Sequence, residues 1–164
     1  MIKHLDNISN KILKINELKS QISFWRQKNH KITFTNGCFD ILHKGHIELL
    51  CQAADLGDKL IVGLNSDTSI KKIKGDSRPI MPEDVRSKIL ASLSYIDAVI
   101  LFSQDTPEKL INEIMPDILV KGGDYKAEEI IGYDLIKSIN GEVVILPFIN
   151  GFSSTSIIKK IEDL

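Results

Sequence analysis

The stretch KITFTNGCFDILHKGH, residues 31–46, joins an apolar run to a segment with two glycines and two histidines. Its first half is rich in β-branched and aromatic residues and predicts a buried strand. Its second half places His43 and His46 on either side of Gly45, where the strand passes into a helix. Glycine permits close approach of a ligand to the backbone, and a helix start presents unpaired N–H groups to an anion. We therefore expect this junction to hold the phosphates of a nucleotide.

Five apolar runs in all follow one another along the chain, separated by segments of mixed polarity. They are KITFTN, KLIVGLN, DAVILF, DILVKG and EVVILPF. They are rich in Ile and Val with little polar alternation, as in strands that are buried on both faces. The segments between them have helical spacing, with Pro82 and Pro107 near helix starts and Gly57 and Gly141 after helix ends. The pattern predicts an α/β fold, a Rossmann-like five-stranded parallel sheet with helices on both faces.

The beginning of the chain has a different pattern. Apolar residues recur at steps of three and four between Ile8 and Trp25, which predicts an amphipathic helix or a pair of helices. A total of 164 residues suits one ordinary domain. We expect residues 1–30 to form an N-terminal helical extension and residues 31–164 to form the α/β domain.

The composition limits the choice of partners. With 21 Lys and Arg against 22 Asp and Glu, the net charge of −1 gives no general attraction for nucleic acid or an anionic membrane, and neither is expected as a partner. The two cysteines, Cys38 and Cys51, are too few for a disulfide framework. The N-terminus lacks the apolar run of a signal peptide, and no segment reaches the roughly 18 to 20 apolar residues that span a bilayer. We expect a cytoplasmic protein that binds small molecules.

Polar clusters follow four of the predicted strands directly: TNGCFD, NSD, KGGDY and NGFSST. Ligands of parallel α/β sheets bind at the carboxyl ends of the strands, so these clusters should meet at one edge. KGGDY, residues 121–125, suits close approach to a ligand, although a simple glycine turn would also explain it. NGFSST supplies more hydroxyls than the single one that a helix cap needs, which favours a second phosphate contact.

The stretch SIKKIKGDSRPI, residues 69–80, is strongly basic, and Arg86 follows it. Such a cluster is often only a solvated face. The functional alternative is a flexible basic segment that folds over a triphosphate and neutralises it with ammonium and guanidinium groups. Both interpretations stay open at this point.

Other chemistries match the first junction less well. Zinc would need further ligands beside the histidines, and the spacing of Cys38 and Asp40 is not a standard one, so no metal ligand is assigned. The Rossmann fingerprint G-x-G-x-x-G and the P-loop motif are missing from this turn, so neither hydride transfer nor P-loop phosphoryl transfer is supported. A free cysteine such as Cys38 is more often a small packing residue than a nucleophile.

Six motifs occur in order along nearly the whole chain: NGCFDILHKGH, VGLNSD, IKGDSRPI, DVRSKIL, VKGGDY and GFSSTSII. In these motifs the sequence resembles the nucleotidyltransferase superfamily marked by H-x-G-H. It resembles more closely the adenylyltransferases of D-glycero-β-D-manno-heptose 1-phosphate, which make ADP-heptose for the lipopolysaccharide core. The resemblance implies an HxGH nucleotidyltransferase fold for residues 31–164, ATP as substrate and Mg²⁺ as its companion.

The resemblance also carries expectations about partners. Members of this family are often fused to a sugar kinase domain, and 164 residues leave no room for one. We therefore expect the heptose kinase to be a separate protein. The expected assembly is a homodimer.

The motifs and the resemblance together give three groups of candidate site residues. The catalytic candidates are His43 and His46, the motif histidines, with Lys44 between them. The nucleotide-binding candidates are Asn36, Gly37, Cys38, Phe39, Gly45, Lys121, Gly122, Gly123, Asp124, Ser153, Ser154 and Thr155. The candidates for binding the acceptor or the phosphate groups are Asp40, Asn65, Asp67, Lys72, Lys74, Arg78 and Arg86.

One departure from the related glycerol-phosphate cytidylyltransferases bears on the nucleotide. Those enzymes carry R-T-x-G-I-S-T before the last helix, and Phe148 stands here in place of their arginine. The hydroxyl motif reads S-S-T where the heptose subfamily commonly has S-T-T, a change that keeps the hydroxyls. Two alternatives remain: a cytidylyltransferase that uses CTP and an alcohol phosphate such as glycerol phosphate, and a nucleotide-binding module without catalysis.

Overall fold

The computed structural model describes residues 3–148 and 151–164. Its centre is one sheet of five strands in which every neighbouring pair runs parallel. The strands are β1 (Ile32–Gly37), β2 (Lys59–Asn65), β3 (Ala98–Phe102), β4 (Ile118–Gly122) and β5 (Glu142–Leu146), in the spatial order β3-β2-β1-β4-β5. Each coincides with one of the five apolar runs. The predicted α/β fold with a five-stranded parallel sheet is confirmed.

Eight helices surround the sheet within the described residues. They are α1 (His4–Ser9), α2 (Ile15–Gln27), α3 (Lys44–Asp55), α4 (Asp67–Lys74), α5 (Glu83–Ser92), α6 (Glu108–Ile114), α7 (Tyr133–Ser138) and α8 (Ser154–Glu162). A short 3₁₀ turn at Ala127–Glu129 precedes α7. None of these helices is both long and apolar enough to cross a membrane.

The core lies in two layers, one on each face of the sheet. On one face α2, α6 and α7 pack against the side of β1 that bears Phe34. On the other face α3 and α5 pack against Leu60, Val62 and Leu64 of β2. Consecutive residues of a strand point to opposite faces, so a strand covered by helices on both sides has apolar residues at successive positions. This explains why the strands appear in the sequence as unbroken apolar runs.

The N-terminal region forms the predicted pair of helices, α1 and α2. Between them, the amide of Leu13 donates to the carbonyl of Val99, and the amide of Val99 donates to the carbonyl of Lys11. These bonds attach the connection between α1 and α2 to the outer edge of β3. Leu18 and Trp25 of α2 are buried in the same apolar layer as strand residues. This packing makes α2 part of the common core. The division of the chain at residue 30 stays a prediction.

The basic segment after β2 differs from the sequence expectation. Residues 67–74 form the helix α4 instead of a flexible segment. Ser66 caps it, because its side chain accepts a hydrogen bond from the amide of Ser69 at 3.2 Å. Serine followed by aspartate at the start of a helix is a favourable cap and first turn. The irregular part of the segment begins only at Gly75, where α4 ends.

Candidate functional site

The two motif histidines lie side by side where β1 passes into α3. Their ring centroids are 3.8 Å apart and the ring planes differ by 20°, so the imidazoles are stacked. His43 is the residue before α3, and its carbonyl accepts the amides of His46 and Ile47. Its side chain does not cap the helix. The first N–H groups of α3 and both rings therefore face the same region at the carboxyl edge of the sheet.

Two neighbours explain why the rings can stack there. A Cβ atom on Gly45 would lie 3.2 Å from Cε1 and Nδ1 of His43, closer than most real contacts, so glycine makes room for the His43 ring. Phe39 is buried and meets the His46 ring edge-on, with centroids 5.2 Å apart. The apolar ring of Phe39 fixes the imidazole of His46 by packing, and no hydrogen bond is needed for this.

The environment keeps both imidazoles neutral at pH 7. Burial lowers the pKa of His43. Burial, with the neighbouring charges of His43 and Lys74, lowers the pKa of His46 to about 4, although the Ile41 carbonyl acts in the opposite direction. Nδ1 of each ring is buried without a hydrogen-bond partner in the described part of the chain. A buried N–H without a partner is costly, so we assign the proton of each neutral ring to Nε2.

The hydroxyls at the start of α8 divide their tasks. Ser153 caps the helix, since its side chain accepts the amide of Ser156 at 3.0 Å. Ser154 donates to the carbonyl of Ile41 at 3.2 Å and so ties α8 to the loop that precedes the histidines. Thr155 is exposed. Capping is a sufficient role for Ser153, whereas the hydrogen bond from Ser154 to Ile41 holds α8 against the loop that precedes the histidines. Ile149 and Asn150, which precede this motif, lie outside the described residues.

Asp40, a predicted substrate contact, has internal partners instead. It is 2% exposed, and its carboxylate accepts from Nε of Arg78 at 2.6 Å and from the amides of Ile80 and Met81 at 2.8 and 2.9 Å. Burial alone would raise the pKa of Asp40, but the Met81 and Ile80 amides and Arg78 outweigh it and hold the pKa below its usual value. These donors occupy the buried carboxylate in this structure, which favours a structural role, and contact between Asp40 and a substrate stays a prediction.

Arg86, also a predicted phosphate contact, has its guanidinium bonded inside the protein. It is 1% exposed, and its guanidinium donates to the carbonyls of Met81, Cys38 and Asn65 at 2.9, 2.6 and 2.9 Å. It also donates to the carboxylate of Asp67 at 2.7 Å. Hydrogen bonds from a charged donor contribute about 1.5–3 kcal/mol each. Arg86 therefore joins the ends of β1 and β2 to the start of α4, and it has no exposed face for a ligand.

The partners of Arg86 and Asp40 share this structural character. Asn65 is buried, with its amide donating to Ser69 at 3.0 Å, and Asp67 is occupied by Arg86. Arg78 has its guanidinium 2.5 Å from the carboxylate of Asp40 as a mostly buried ion pair. These three residues were predicted as substrate or phosphate contacts. The structure brings them to the predicted edge, where Asn65 and Asp67 are bonded to Arg86 and Arg78 is bonded to Asp40, which does not support direct contact with a substrate.

The lysines of the region are more accessible. Lys74 forms no ion pair or side-chain hydrogen bond within residues 3–148 and 151–164. Its charge reaches the histidines, since it contributes to the lowered pKa of His46. Lys72 pairs with the carboxylate of Asp105 at 3.0 Å in solvent, and Lys44 lies 3.4 Å from Glu48, also at the surface. Exposed pairs of this kind are worth about 1 kcal/mol or less, so these lysines are easily released to a ligand.

A second group of residues lies at the neighbouring end of β4. Lys121 and Asn36 border a cavity of about 170 Å³ whose lining also includes Pro107, Leu119, Tyr125, Glu129, Ile130 and Ile131. Burial lowers the pKa of Lys121, and the nearby Cys38 acts in the opposite direction. Gly123 has a φ of +136°, and a Cβ there would lie 2.5 Å from the Tyr125 ring, so a side chain at this position is excluded. Asp124 is exposed.

This cavity lies at the switch point of the sheet, between β1 and β4. Phe34 and Leu119 precede Asn36 and Lys121 by two residues and belong to the layer under α6 and α7. The histidines begin α3, which covers the opposite face. Ligands of open parallel sheets bind at such switch points. The β1–β4 edge therefore has an imidazole pair on one side and a lysine-lined cavity on the other.

The sequence analysis did not identify Tyr125 and Glu129 as site residues. Tyr125 belongs to KGGDY, so its position after a strand was a usable signal. Glu129 is in a 3₁₀ turn, and the local sequence carries no signal for its approach to the cavity. Two exposed aromatic residues were also not assigned to the site: the Phe148 ring lies against Gly122 and Gly123, and Lys44 lies over the Phe152 ring at 5.7 Å.

A larger cavity of about 730 Å³ lies elsewhere, along the outer edge of β3 between α2 and α6. None of the predicted site residues lines it.

For metals, the part of the chain that is described contains no group of three His, Cys, Asp or Glu side chains suited to hold an ion. The carboxylates of Asp40 and Asp67 at this edge are bonded to arginines.

Comparison with known proteins adds an independent line. The cytidylyltransferase-like family matches residues 34–160. Two proteins described as "Bifunctional protein HldE" are close in sequence. That of Actinobacillus pleuropneumoniae serotype 5b (strain L20) is 49% identical over 161 residues, 98% of this chain and 34% of the relative. That of Campylobacter concisus (strain 13826) is 48% identical over 157 residues, 96% of this chain and 32% of the relative. The chain thus spans about a third of the length of these curated relatives.

A solved structure is also similar. The lipopolysaccharide core biosynthesis protein from Thermoplasma volcanium GSS1 superposes with a TM-score of 0.57 at 28% sequence identity. The match covers 73% of this chain and 97% of that protein. The matched region makes up nearly all of that chain.

Proposed function

The chain belongs to the cytidylyltransferase-like family, and we propose that it transfers AMP from ATP to D-glycero-β-D-manno-heptose 1-phosphate, giving ADP-heptose and pyrophosphate. The observation that carries the proposal is the stacked pair of neutral imidazoles at the carboxyl edge of the parallel sheet. The similarity to proteins named HldE over nearly the whole chain supports the sugar-phosphate acceptor. So does the similarity to a lipopolysaccharide core biosynthesis protein.

The proposed reaction needs no general base from the protein. The second pKa of a phosphate monoester is about 6, so at pH 7 the heptose phosphate already carries an anionic oxygen. That oxygen attacks the α-phosphorus of ATP in line, the bond from the α-phosphorus to the bridging oxygen breaks, and pyrophosphate leaves with the electron pair. Catalysis is then a matter of alignment and charge stabilisation.

The histidines supply the stabilisation in this scheme. Nε2–H of His43 and of His46 donates to the oxygens of the α-phosphate, where charge is greatest in the transition state. The free N–H groups at the start of α3 add their partial positive charge. Because the low pKa of both rings keeps them neutral, they act as fixed hydrogen-bond donors over the whole neutral range. Lys44 has a smaller role, since its ammonium is at the surface beside Glu48.

The remaining phosphate groups have accessible partners. Lys74, whose charge already reaches His46, binds the β- or γ-phosphate, and Lys72 adds to this once released from Asp105. Thr155 offers its hydroxyl at the start of α8. Mg²⁺ enters with ATP and helps to neutralise the leaving pyrophosphate.

The acceptor occupies the cavity beside Lys121 in this proposal. The ammonium of Lys121 has no hydrogen bond or ion pair with any described residue, and it is largely withdrawn from solvent, so it favours an anion such as the heptose phosphate. Asn36, Tyr125 and Glu129 offer an amide, a phenol and a carboxylate for sugar hydroxyls. These polar groups suit a polyhydroxylated ligand.

The wider setting follows from the same proposal. The reaction consumes ATP and a sugar 1-phosphate, so we place the enzyme in the cytoplasm, where a heptose kinase activity supplies the acceptor. A homodimer is retained as the proposed assembly. The preference for ATP over CTP is supported by Phe148, because the related cytidylyltransferases carry arginine there.

The test is a direct assay. Purified protein with MgATP and D-glycero-β-D-manno-heptose 1-phosphate should release pyrophosphate and form ADP-heptose, identified by mass spectrometry. CTP with glycerol 3-phosphate, and each nucleotide with each acceptor, complete the panel. Faster turnover with CTP and glycerol 3-phosphate would replace this proposal by the cytidylyltransferase alternative. Nucleotide binding without turnover of any pair would favour a module that binds without catalysis.

A further inference from the structure

Asp40 holds the segment that follows α4. This residue belongs to the turn between β1 and the histidines, and it reaches residues 78–81 on another part of the chain. It accepts hydrogen bonds from Nε of Arg78 and from the amides of Ile80 and Met81. Three donors from four consecutive residues fix that segment against the end of β1.

Arg86 fixes the same segment from its other side. Its Nε donates to the carbonyl of Met81, while Asp40 accepts from the amide of Met81. Arg86 also holds Asp67, the first residue of α4. The amide of Asp67 donates in addition to the carboxylate of Glu83 at 2.7 Å. Both ends of the stretch 67–81 are therefore attached to the edge of the sheet, and the basic end of α4 lies between the two attachments.

We propose that Asp40 is a positioning residue for nucleotide binding: by holding Arg78, Ile80 and Met81 it fixes the end of α4 so that Lys74 faces the phosphates at the histidine pair. The inference rests on the proposed function in one respect, since it takes the ligand at the histidines to be a nucleoside triphosphate. The amide of Arg78 donates to the carbonyl of Gly75 at 3.1 Å, so the segment that Asp40 holds is bonded to the residue directly after Lys74. Neither Asp40 nor Arg78 contacts the ligand in this arrangement.

The opposite role for Arg78 gives an opposite result. If Arg78 left Asp40 to bind phosphate directly, Asp40 would compete with the nucleotide for it. Removing the charge of Asp40 would then free a cation and strengthen ATP binding. Under the positioning proposal the same change loosens residues 78–81 and weakens ATP binding. The sign of the effect of one substitution therefore separates the two roles.

The experiment is a double-mutant cycle with Asp40→Asn and Lys74→Ala. The dissociation constant for MgATP is measured by calorimetry on the folded protein, so the result does not depend on which acceptor the enzyme uses. Each single substitution should weaken binding about tenfold, the loss expected for one charge-assisted contact. The double variant should bind MgATP about as weakly as the weaker-binding of the two single variants, because both substitutions remove the same contact.

Several outcomes overturn the proposal. Equal or tighter binding by Asp40→Asn assigns Arg78 as a direct phosphate ligand. A double variant weakened by the product of the two single effects makes Asp40 and Lys74 independent. If Asp40→Asn does not fold, Arg78→Gln breaks the same ion pair and replaces it in the cycle with the same expectations. Failure of the heptose assay with an intact cycle would refute the proposed function and leave this inference standing.

Asp97→Asn is the matched control. Asp97 also holds a basic side chain, Lys59 at 2.8 Å, and a backbone amide, Leu60 at 2.9 Å, but at the amino ends of the strands. It should lower thermal stability and leave the MgATP dissociation constant unchanged. An equal weakening of MgATP binding in Asp97→Asn would show that the loss of any structural carboxylate has this effect. That result would overturn the positioning role of Asp40.

Discussion

The amino and carboxyl ends of the sheet use charged side chains in different ways. At the amino ends, Asp58 and Asp117 accept the amides of Lys31 and Ile32 at 2.7 and 2.8 Å, and Asp97 does the same for the next pair of strands. Each of these aspartates stands immediately before a strand. At the carboxyl ends, aspartates bond arginines, and the imidazoles of the motif have buried nitrogens without partners among the described residues.

The difference separates stability from chemistry. The three aspartates at the amino ends are bonded to backbone amides, so they fix the strands in place and are not available to a ligand. At the carboxyl ends the arginine network fixes loops, and beside it the histidines, Lys74 and Lys121 retain unused hydrogen-bonding capacity. Unsatisfied buried polar groups are rare in proteins and call for an explanation. A ligand with several anionic oxygens supplies the missing partners.

The largest expected effect comes from the histidine pair. His46→Ala should lower kcat by about 10²-fold or more, because it removes a preorganised donor to the α-phosphate. The variant should still fold, with a lower melting temperature because the packing of the ring against His43 and Phe39 is lost, so kcat is compared at a temperature where both proteins are folded. Pyrophosphate release measures the first effect, and thermal unfolding the second.

His30→Ala provides the comparison at the amino ends. His30 lies just before β1, away from the carboxyl edge, and should keep wild-type turnover. Wild-type turnover of His46→Ala would remove the role assigned to the imidazole pair. A parallel loss in both variants would instead indicate a general effect on the fold.

Asp117→Ala should show the reverse pattern. It leaves the amide of Ile32, a fully buried residue, without its acceptor, and such a loss costs about 1–3 kcal/mol. For a domain of this size the melting temperature should fall by roughly 2–12 °C. Turnover at a temperature where the variant is folded should equal that of the wild type. A variant that loses activity while fully folded would contradict the separation between the two ends.

The pH dependence of stability tests the burial of His46. The pKa of His46 is about 4 in the folded protein, against 6.5 ordinarily, so between these values the unfolded chain binds a proton that the folded chain does not. The free energy of unfolding must therefore fall as pH decreases from about 6.5 to 4, and the contribution is fully recovered above 6.5. After allowance for partial solvation the change is of the order of 1–2 kcal/mol.

Chemical denaturation of the wild type and His46→Gln between pH 4 and 6.5 isolates the contribution of His46 to the free energy of unfolding. The wild type should lose stability more steeply than the variant. Parallel curves would place the His46 ring in solvent, in conflict with its stacking against His43 and Phe39. His43 contributes in the same direction in both proteins, because burial also lowers its pKa.

Much of the fold could be predicted from the sequence because its signals are local. A strand covered on both faces must be apolar throughout, so the runs from β1 to β5 were visible without coordinates. The histidine pair was predictable for a related reason: parallel strands bring every junction that follows them to one edge. The resemblance to HxGH nucleotidyltransferases then indicated the chemistry, and the family match agrees with it.

The assignments of Asp40, Asn65, Asp67, Arg78 and Arg86 could not be refined in this way. Their roles depend on partners between 4 and 48 residues away, and charge alone does not distinguish an arginine that binds phosphate from one that binds carbonyl groups. Helix α4 was missed because its basic residues suggested solvation, whereas its stability comes from the Ser66 cap and the attachment of Asp67. Burial, the property that decides between these roles, is set by the tertiary structure.

The smallest expected effect concerns two exposed phenylalanines, one at each end of the molecule. Phe148, 64% exposed, lies against Gly122 and Gly123 at the carboxyl edge, and Phe24 is near the end of α2, just before β1. A phenyl face suits stacking with a purine, whereas arginine offers donors to a pyrimidine carbonyl or a phosphate. Phe148→Arg should therefore shift the ratio of kcat/KM for CTP over ATP upward by about threefold to tenfold, the scale of one stacking contact. Phe24→Arg should leave that ratio unchanged, and an unchanged ratio in Phe148→Arg as well would mean that the base binds away from this ring.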